Sequence, residues 1–530
     1  MATDAARAGI DPEAAAWGDI FPTRDQFLTL AQTRRVVPVA AKLLIDDTSP
    51  TSIYRRLAAG RPGSFILESA EQNYWSNWSF VGVSSSATLT ARGGTATWTG
   101  EVPAGLQREG SATELLRSAL DTLASEPLPG MPPLTGGLVG VLGWDLLYDW
   151  EPTLGRSAPA EHSTPDVAMC LTEELVAIDH RRGVVWLIAN AVNRNGLPEG
   201  AEAAYDRARA KVQEMIEAIC APQPALALAM SGEPSSTPRM RVTSEQFQDA
   251  VRTAQRHISD GDVFQVVLSQ RADIDFDGDP IDVYLVLRSI NPSPYMYCFN
   301  LQDGEGSFHV VGSSPETLVA VRDGTVTTFP IAGSRPRGAT PAEDRELAEE
   351  LLKDPKEISE HVMLVDLARN DLAKVSKPGT VEVGAFMDIA RFSHIMHITS
   401  TVTGELRDSV SAVEALAAAF PAGTLSGAPK ARAIEIIDEL EPTRRGIYGG
   451  VAGYFDFAGN ADLAIAIRTA IIEGGTASVQ SGAGIVADSV PETEDIETRN
   501  KAAAAIRAVQ IAQSLVSPGE SEGDISGEPR

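Results

Sequence analysis

Cysteine is scarce in this chain, with Cys170, Cys220 and Cys298 the only three in 530 residues. So few thiols exclude a disulfide framework, and none belongs to a C-x-x-C pair, so a reducing, cytoplasmic setting is expected. Long apolar runs are missing too: none approaches the ~18 residues of a membrane span. Met1 to Ile20 is acidic and Ala-rich without an apolar centre, so it does not read as a signal peptide. Basic residues are in deficit, 44 Lys and Arg against 72 Asp and Glu, for a net charge of −28. Such a chain has no basic footprint for nucleic acid or an anionic membrane surface. An anionic substrate must therefore be held by a local basic or metal site, against the overall field. What remains is ordinary globular material, 43% hydrophobic and 6% aromatic, ample for a large core.

Residues 1–20 and 516–530 are rich in Ala, Gly, Ser, Pro and acids, and both ends are expected to be disordered. The sharpest internal change of composition, 221–241, reads as a linker between residues 21–220 and 242–515. The first part reads mainly as strands, at 63–67, 78–83, 136–142 and 184–188, with helices at 112–123 and 199–219. The second mixes strands at 262–268, 294–300 and 308–311 with helices at 244–259 and near 355–374, 410–420, 428–439 and 494–514. No internal repeat is present.

Two distant stretches share an E-x-x-E spacing, Glu357 with Glu360 and Glu494 with Glu497. On a helix, positions three apart share a face, so each stretch aims two carboxylates at one spot. One such stretch is usually a solvated charged face. Two facing helices would make an acidic cage for a hard divalent cation. Mg2+ takes one or two protein carboxylates and completes its octahedron with substrate and water. The other pair would then bond metal-bound water or hold a proton. Arg468 and Lys501 are the candidate basic partners.

The run Gln480 to Val486 is glycine-rich and follows strand-like residues. Alone it is a turn; ten residues before Glu494 it offers backbone N–H groups to an anion. Pro330 to Gly338 is a basic loop of restricted backbone. Gly423 to Lys430 supplies hydroxyls at a helix start, without the spacing of a nucleotide P-loop. His394 and His397 fall in a strand-like run, with no partners of the H-E-x-x-H kind.

Together these segments resemble the chorismate-utilising enzymes, and within that family the large subunits of anthranilate synthase. The resemblance runs in order through Leu67-Glu68-Ser69, Asn291 to Met296, Pro330 to Gly338, Glu360 to Asp371, Gly423 to Lys430, Asp488 to Pro491 and Glu497 to Lys501. It implies an α+β fold, a large two-sheet antiparallel sandwich with outer helices. Residues 21–220 would be a regulatory or lid region and 242–515 the chorismate-binding catalytic region. Glu360 and Glu497 would ligate Mg2+, supported by Glu357 and Glu494, and the metal would grip the ring carboxylate of chorismate. Tyr448, Arg468 and the Gly482-Ala483-Gly484 backbone would hold the substrate's carboxylates and enolpyruvyl arm, with Lys501 near the metal end. Gly333, Ser334 and Thr424 would line the pocket; the family often has Thr where Ser334 stands, and the hydroxyl survives. Glu316 would be the general acid for the departing C4 hydroxyl, its pKa raised by the cluster of carboxylates. His397 would assist the later loss of pyruvate.

Two positions choose the product. Aminodeoxychorismate synthases generally carry an attacking Lys in place of Ala332, and isochorismate and salicylate synthases carry a water-activating Lys in place of Gln265. Neither residue here has such chemistry, so the resemblance implies that ammonia attacks C2 and pyruvate is then eliminated. No cysteine sits in a glycine-flanked nucleophile elbow, so a separate glutamine amidotransferase subunit is the expected ammonia source, in a heterotetramer of two large and two small subunits. Ser69, Pro294, Tyr295 and Met296 match the segments that bind L-tryptophan as a feedback inhibitor. The alternatives are an aminodeoxychorismate synthase, disfavoured by Ala332, and a non-catalytic tryptophan-responsive binder, which would have lost the metal glutamates or Glu316.

Overall fold

The computed structural model describes residues 9–45, 49–69, 77–222, 226–234, 236–391 and 395–518. The first half contributes strands β1 (Val36–Leu44), β2 (Ser64–Glu68), β3 (Trp78–Arg92), β4 (Thr95–Gly100), β5 (Gly137–Leu142), β6 (Val167–Asp179) and β7 (Val184–Val192). The second half adds β8 (Gln265–Asp275), β9 (Tyr295–Gln302), β10 (Ser307–Ser314), β11 (Thr317–Arg322), β12 (Thr325–Thr328) and β13 (Ile331–Pro336). It continues with β14 (Asp388–Arg391), β15 (Ile395–Thr399), β16 (Val402–Glu405), β17 (Val451–Asp456), β18 (Ala461–Ile465), β19 (Thr469–Glu473) and β20 (Thr476–Ile485). The larger helices are α1 (Arg24–Leu30), α2 (Pro50–Leu57), α3 (Ala112–Thr122), α4 (Gly200–Cys220), α5 (Ser244–Ser259) and α6 (Pro280–Ile290). They go on with α7 (Pro341–Leu351), α8 (Pro355–Ala373), α9 (Ala412–Ala419), α10 (Lys430–Leu440) and α11 (Pro491–Ala512).

All ladders between these strands are antiparallel. One sheet runs β1-β7-β6-β3-β2-β9-β10-β19-β20-β8. The other runs β4-β3-β6-β5-β17-β18-β11-β12-β16. The two are joined, because β3 and β6 belong to both. Their shared ladder slips register between Gly82 and Thr88, and the pair bends there from one sheet into the other. A small three-stranded sheet, β13-β15-β14, stands apart.

Three apolar layers follow from this. Phe65, Phe80, Trp186, Tyr297 and Phe299 of the first sheet meet Val139, Val141 and Tyr454 of the second in the centre. The outer face of the first sheet is covered by α1, α2, α4, α6 and α11, that of the second by α3, α5, α8, α9 and α10. The expected α+β sandwich with outer helices is present.

The segmentation is different. Residues 9–20 are held against β1: Lys42 Nζ donates to the Pro12 carbonyl at 3.0 Å, and the Gly18 amide to the Lys42 carbonyl at 2.9 Å. Residues 1–8 and 519–530 lie outside the described residues. Nor is 221–241 a free connector, since Ala229 and Met230 pair with Val516 and Leu515, and Arg239 and Met240 with Asp273 and Ala272 of β8. Its backbone groups find partners at sheet edges whatever its side chains. The boundary drawn there divides neither sheet, as β2 pairs with β9 and β5 with β17.

Candidate active site

Glu316 sits at the corner between β10 and β11. Its carbonyl accepts from the Ile465 amide at 2.9 Å, and its own amide donates to Ser314 Oγ at 3.3 Å. The Thr424 hydroxyl donates to Oε1 at 3.1 Å. Burial pushes the carboxyl up to about 7, against the lowering influence of Thr424, Lys501 and Arg468. The expected cause, neighbouring carboxylates, is thus replaced by desolvation with two cations opposing it. A cavity beside it is lined by Thr424, Gly423, Leu364, Leu367, Phe329 and Asp371.

Arg468 precedes β19 with φ at +50°, a left-handed conformation that costs a non-glycine residue about 1–3 kcal/mol. Its side chain forms no hydrogen bond or ion pair among the described residues. Burial lowers its pKa, and Glu316 partly offsets this. His397, on β15, lies with Nδ1 2.8 Å from the Gly333 carbonyl. A carbonyl only accepts, so Nδ1 carries the proton and the neutral ring has its lone pair on Nε2. Burial holds His397 below its ordinary pKa, with Arg468 and Lys501 adding to the effect. Ser334 pairs with His397 across the β13–β15 ladder, but it is exposed. His394 lies outside the described residues.

The two E-x-x-E stretches are helical, on α8 and α11. Pro355 and Pro491 start these helices, and Asp354 caps α8 by accepting from the amides of Lys356 and Glu357. The helices face each other electrostatically: Lys356 of α8 acts on Glu494, and Lys501 of α11 acts on Glu360. Burial raises the pKa of Glu360 and of Glu494, and the like charges of Glu357 and Glu497 add to it. Among the described residues no three acidic, His or Cys side chains converge on one point. Glu497 is instead engaged by Lys501 of its own helix, Nζ 2.7 Å from Oε1.

The run Gly482-Ala483-Gly484 is strand, not turn, within β20 and opposite Ser269, Leu268 and Val267 of β8. The Ser269 amide bonds Glu441 and the Val267 amide bonds the Ser426 carbonyl, so neither pairs with the glycine opposite it. By alternation, the backbone groups of Gly482 and Gly484 point away from β8. Lys501 Nζ donates to the Gly482 carbonyl on that side at 3.1 Å. The missing side chains also give clearance. A Cβ on Gly482 would stand 2.9 Å from Tyr448 Oη, and one on Gly484 2.5 Å from Gln265 Nε2. Gln265 is buried and hydrogen-bonded to Glu360.

The tryptophan-type segments meet elsewhere, at one end of β2 and β9, where Met296 pairs with Glu68 next to Ser69. Met296 is buried toward the helices, while the Tyr295 phenol points to the opposite face, donating to Asp462 Oδ1 at 2.9 Å and lying 2.8 Å from Thr317 Oγ1. Pro294 is half-buried just before them.

Sequence reasoning missed Arg445 and Glu441, a buried ion pair behind Tyr448, and the Glu68–Arg288 pair beneath Ser69. Arg288 stands alone among apolar residues and Glu441 and Arg445 are four apart, the sequence signals that these pairs offer.

A family model described as chorismate binding enzyme matches residues 47–507. Anthranilate synthase component 1 of Mycolicibacterium smegmatis is 50% identical over 499 residues, 94% of this chain and 95% of that protein. The protein of the same name from Arthrobacter globiformis is 48% identical over 503 residues, 94% of each chain. The crystal structure of anthranilate synthase component I from Streptococcus pneumoniae TIGR4 matches with a TM-score of 0.71 at 33% identity, covering 87% of this chain and 98% of that one. Match, fold and ordered motifs agree, and the chain belongs to the chorismate binding enzyme family.

Proposed function

We propose that this chain converts chorismate and ammonia to anthranilate, pyruvate and water, the first step of tryptophan biosynthesis. The observation that carries the reading is Glu316, an acid lifted by burial to about 7 and flanked by Arg468 and Lys501. It is substantially protonated at neutral pH, so it can give its proton to the C4 hydroxyl, which leaves as water while ammonia bonds to C2. Arg468, strained and with Glu316 as a neighbour that is itself largely protonated at neutral pH, suits a substrate carboxylate. The outward backbone of Gly482 and Gly484, with the Tyr448 hydroxyl beside it, suits the enolpyruvyl arm. His397, held by the Gly333 carbonyl, would assist the later loss of pyruvate from C3. Ala332 has no amine and Gln265 no base, which supports anthranilate over the aminodeoxychorismate and isochorismate outcomes.

Glu357, Glu360 and Glu494 are part-buried and Glu497 is exposed beside Lys501; like-charged glutamates gain from a divalent cation, and Mg2+ needs only one or two carboxylates. Glu360 and Glu497 would hold it, with Glu357 and Glu494 in support. Bound there, the ion neutralises the glutamates and anchors the ring carboxylate of the substrate. Ammonia would come from a glutamine amidotransferase subunit, in keeping with the "component 1" in the relatives' name, in a heterotetramer of two large and two small subunits. L-Tryptophan would bind at Ser69, Pro294, Tyr295 and Met296 and inhibit.

Purified chain with chorismate, ammonium and Mg2+ should release fluorescent anthranilate, and chelation should stop it. Glutamine should replace ammonium only when the amidotransferase subunit is added. Isochorismate or aminodeoxychorismate as product overturns the proposal.

A further inference from the structure

We propose that Arg445, with Glu441, is a positioning residue that locks Tyr448, the Thr424 loop and strand β8 into one arrangement around the substrate. Arg445 is the largest fully buried side chain among the described residues, 1% exposed. Its guanidinium donates from Nε to Glu441 Oε2 at 2.9 Å and from Nη2 to Glu441 Oε1 at 2.7 Å. Nη1 donates to the Leu425 carbonyl at 2.7 Å, and Nη2 also to the Val267 carbonyl at 2.8 Å. The flat face stacks on Trp144, 4.2 Å from the ring centre, and lies 5.6 Å from that of Tyr448. Glu441 in turn accepts from the Ser269 amide at 2.8 Å and the Ser269 hydroxyl at 2.7 Å.

Each tied point adjoins a candidate site residue. Leu425 follows Thr424, which holds Glu316. Val267 and Ser269 face Gly484 and Gly482 across the ladder, and the Tyr448 hydroxyl lies against Gly482. A buried ion pair gains little net stability over apolar packing, because desolvation offsets attraction. What this one supplies is geometry: a planar fork with acceptors fixed in several directions, which the single ammonium of lysine cannot reproduce.

The inference rests on the reading of this pocket as a chorismate site. Its test is Arg445→Lys, assayed as full chain with chorismate, ammonium and Mg2+. We expect kcat/KM to fall tenfold or more, within the range that ~1 Å displacements produce, and KM for chorismate to rise. The alkaline limb of the kcat profile should move to higher pH, because a loosened Thr424 no longer lowers Glu316 while Lys501 and Arg468, which also face it, are unchanged. Guanidinium added to Arg445→Ala should restore part of the rate. A variant that melts earlier yet keeps the wild-type KM and pH limb overturns the proposal and leaves Arg445 a core residue. Should Arg445→Lys not fold, Glu441→Gln keeps the shape, and the same two readings decide, with smaller shifts expected. Wild-type chain that forms no anthranilate sinks the activity reading instead, a separate outcome.

Discussion

At the scale of single residues, Glu316 couples chemistry to stability. Its pKa rises from an ordinary 4.5 to about 7 on folding, so the folded state holds its proton more tightly than the unfolded chain. Stability from this group is therefore full below about pH 4.5 and is lost as pH rises through about 7, on the order of 3 kcal/mol in all. Two consequences follow for Glu316→Gln. Turnover should fall by ~10²–10⁴-fold, the usual worth of a general acid. The variant should also melt higher than wild type at pH 8, with the gap closing near pH 5; equal melting curves at both pH values would show that the carboxyl is not buried as its environment indicates. The wild-type rate should decline as pH climbs through about 7. Glu316, Arg468 and Lys501 were legible because they stand in ordered motifs. Arg445 was not: its acceptors, the carbonyls of Leu425 and Val267, lie 20 and 178 residues away, and no local pattern predicts a side chain that bonds main chain at such separations.

At the scale of elements, helices read well and pairing did not. The helices expected near 355–374 and 494–514, and the alternating strands of the first half, rest on local signals. Gly482 and Gly484 carried a local signal for a turn, yet β20 is a strand because β8 supplies its partner, and strand identity is settled by neighbours more than by propensity. The β2–β9 junction shows the same dependence. Register sets Glu68 opposite Met296, with Ser69 just past the end of the ladder, and the next ladder places Tyr295 opposite Ser314, two residues before Glu316. The Tyr295 phenol contact with Thr317 spans the same gap. If L-tryptophan binds at this junction, a bulkier side chain at Ser69 fills the space it needs. Ser69→Leu should raise the half-inhibiting tryptophan concentration at least ~tenfold, a loss of about 1.4 kcal/mol, with turnover in the absence of tryptophan largely kept. Titrating the ammonium-dependent rate with tryptophan reads this directly, and an unchanged titration discards the site.

At the scale of the whole molecule, the chain is woven rather than divided. Composition suggested two regions hinged at 221–241, since a run of Pro, Ala and Ser is what a linker looks like. Sheet order is a non-local property that composition does not carry, and it contradicts the hinge. Each sheet holds strands from both sides of that segment, joined at β2–β9 in one and β5–β17 in the other. The central layer mixes Phe65, Phe80 and Trp186 with Tyr297, Phe299 and Tyr454. Losing either half would strip partners from two sheet edges and expose the aromatic centre. The halves should consequently unfold together. Scanning calorimetry of the full chain should give a single transition, with the calorimetric enthalpy equal to the van't Hoff value, although chains of this size often unfold stepwise by domain. Circular dichroism and tryptophan fluorescence should give coincident denaturant curves, because Trp186 in the first half and the strands of the second share one core. Two resolved transitions, or a fragment of residues 242–518 that folds cooperatively by itself, would restore the two-region picture; the register of β5 against β17 argues for the single transition.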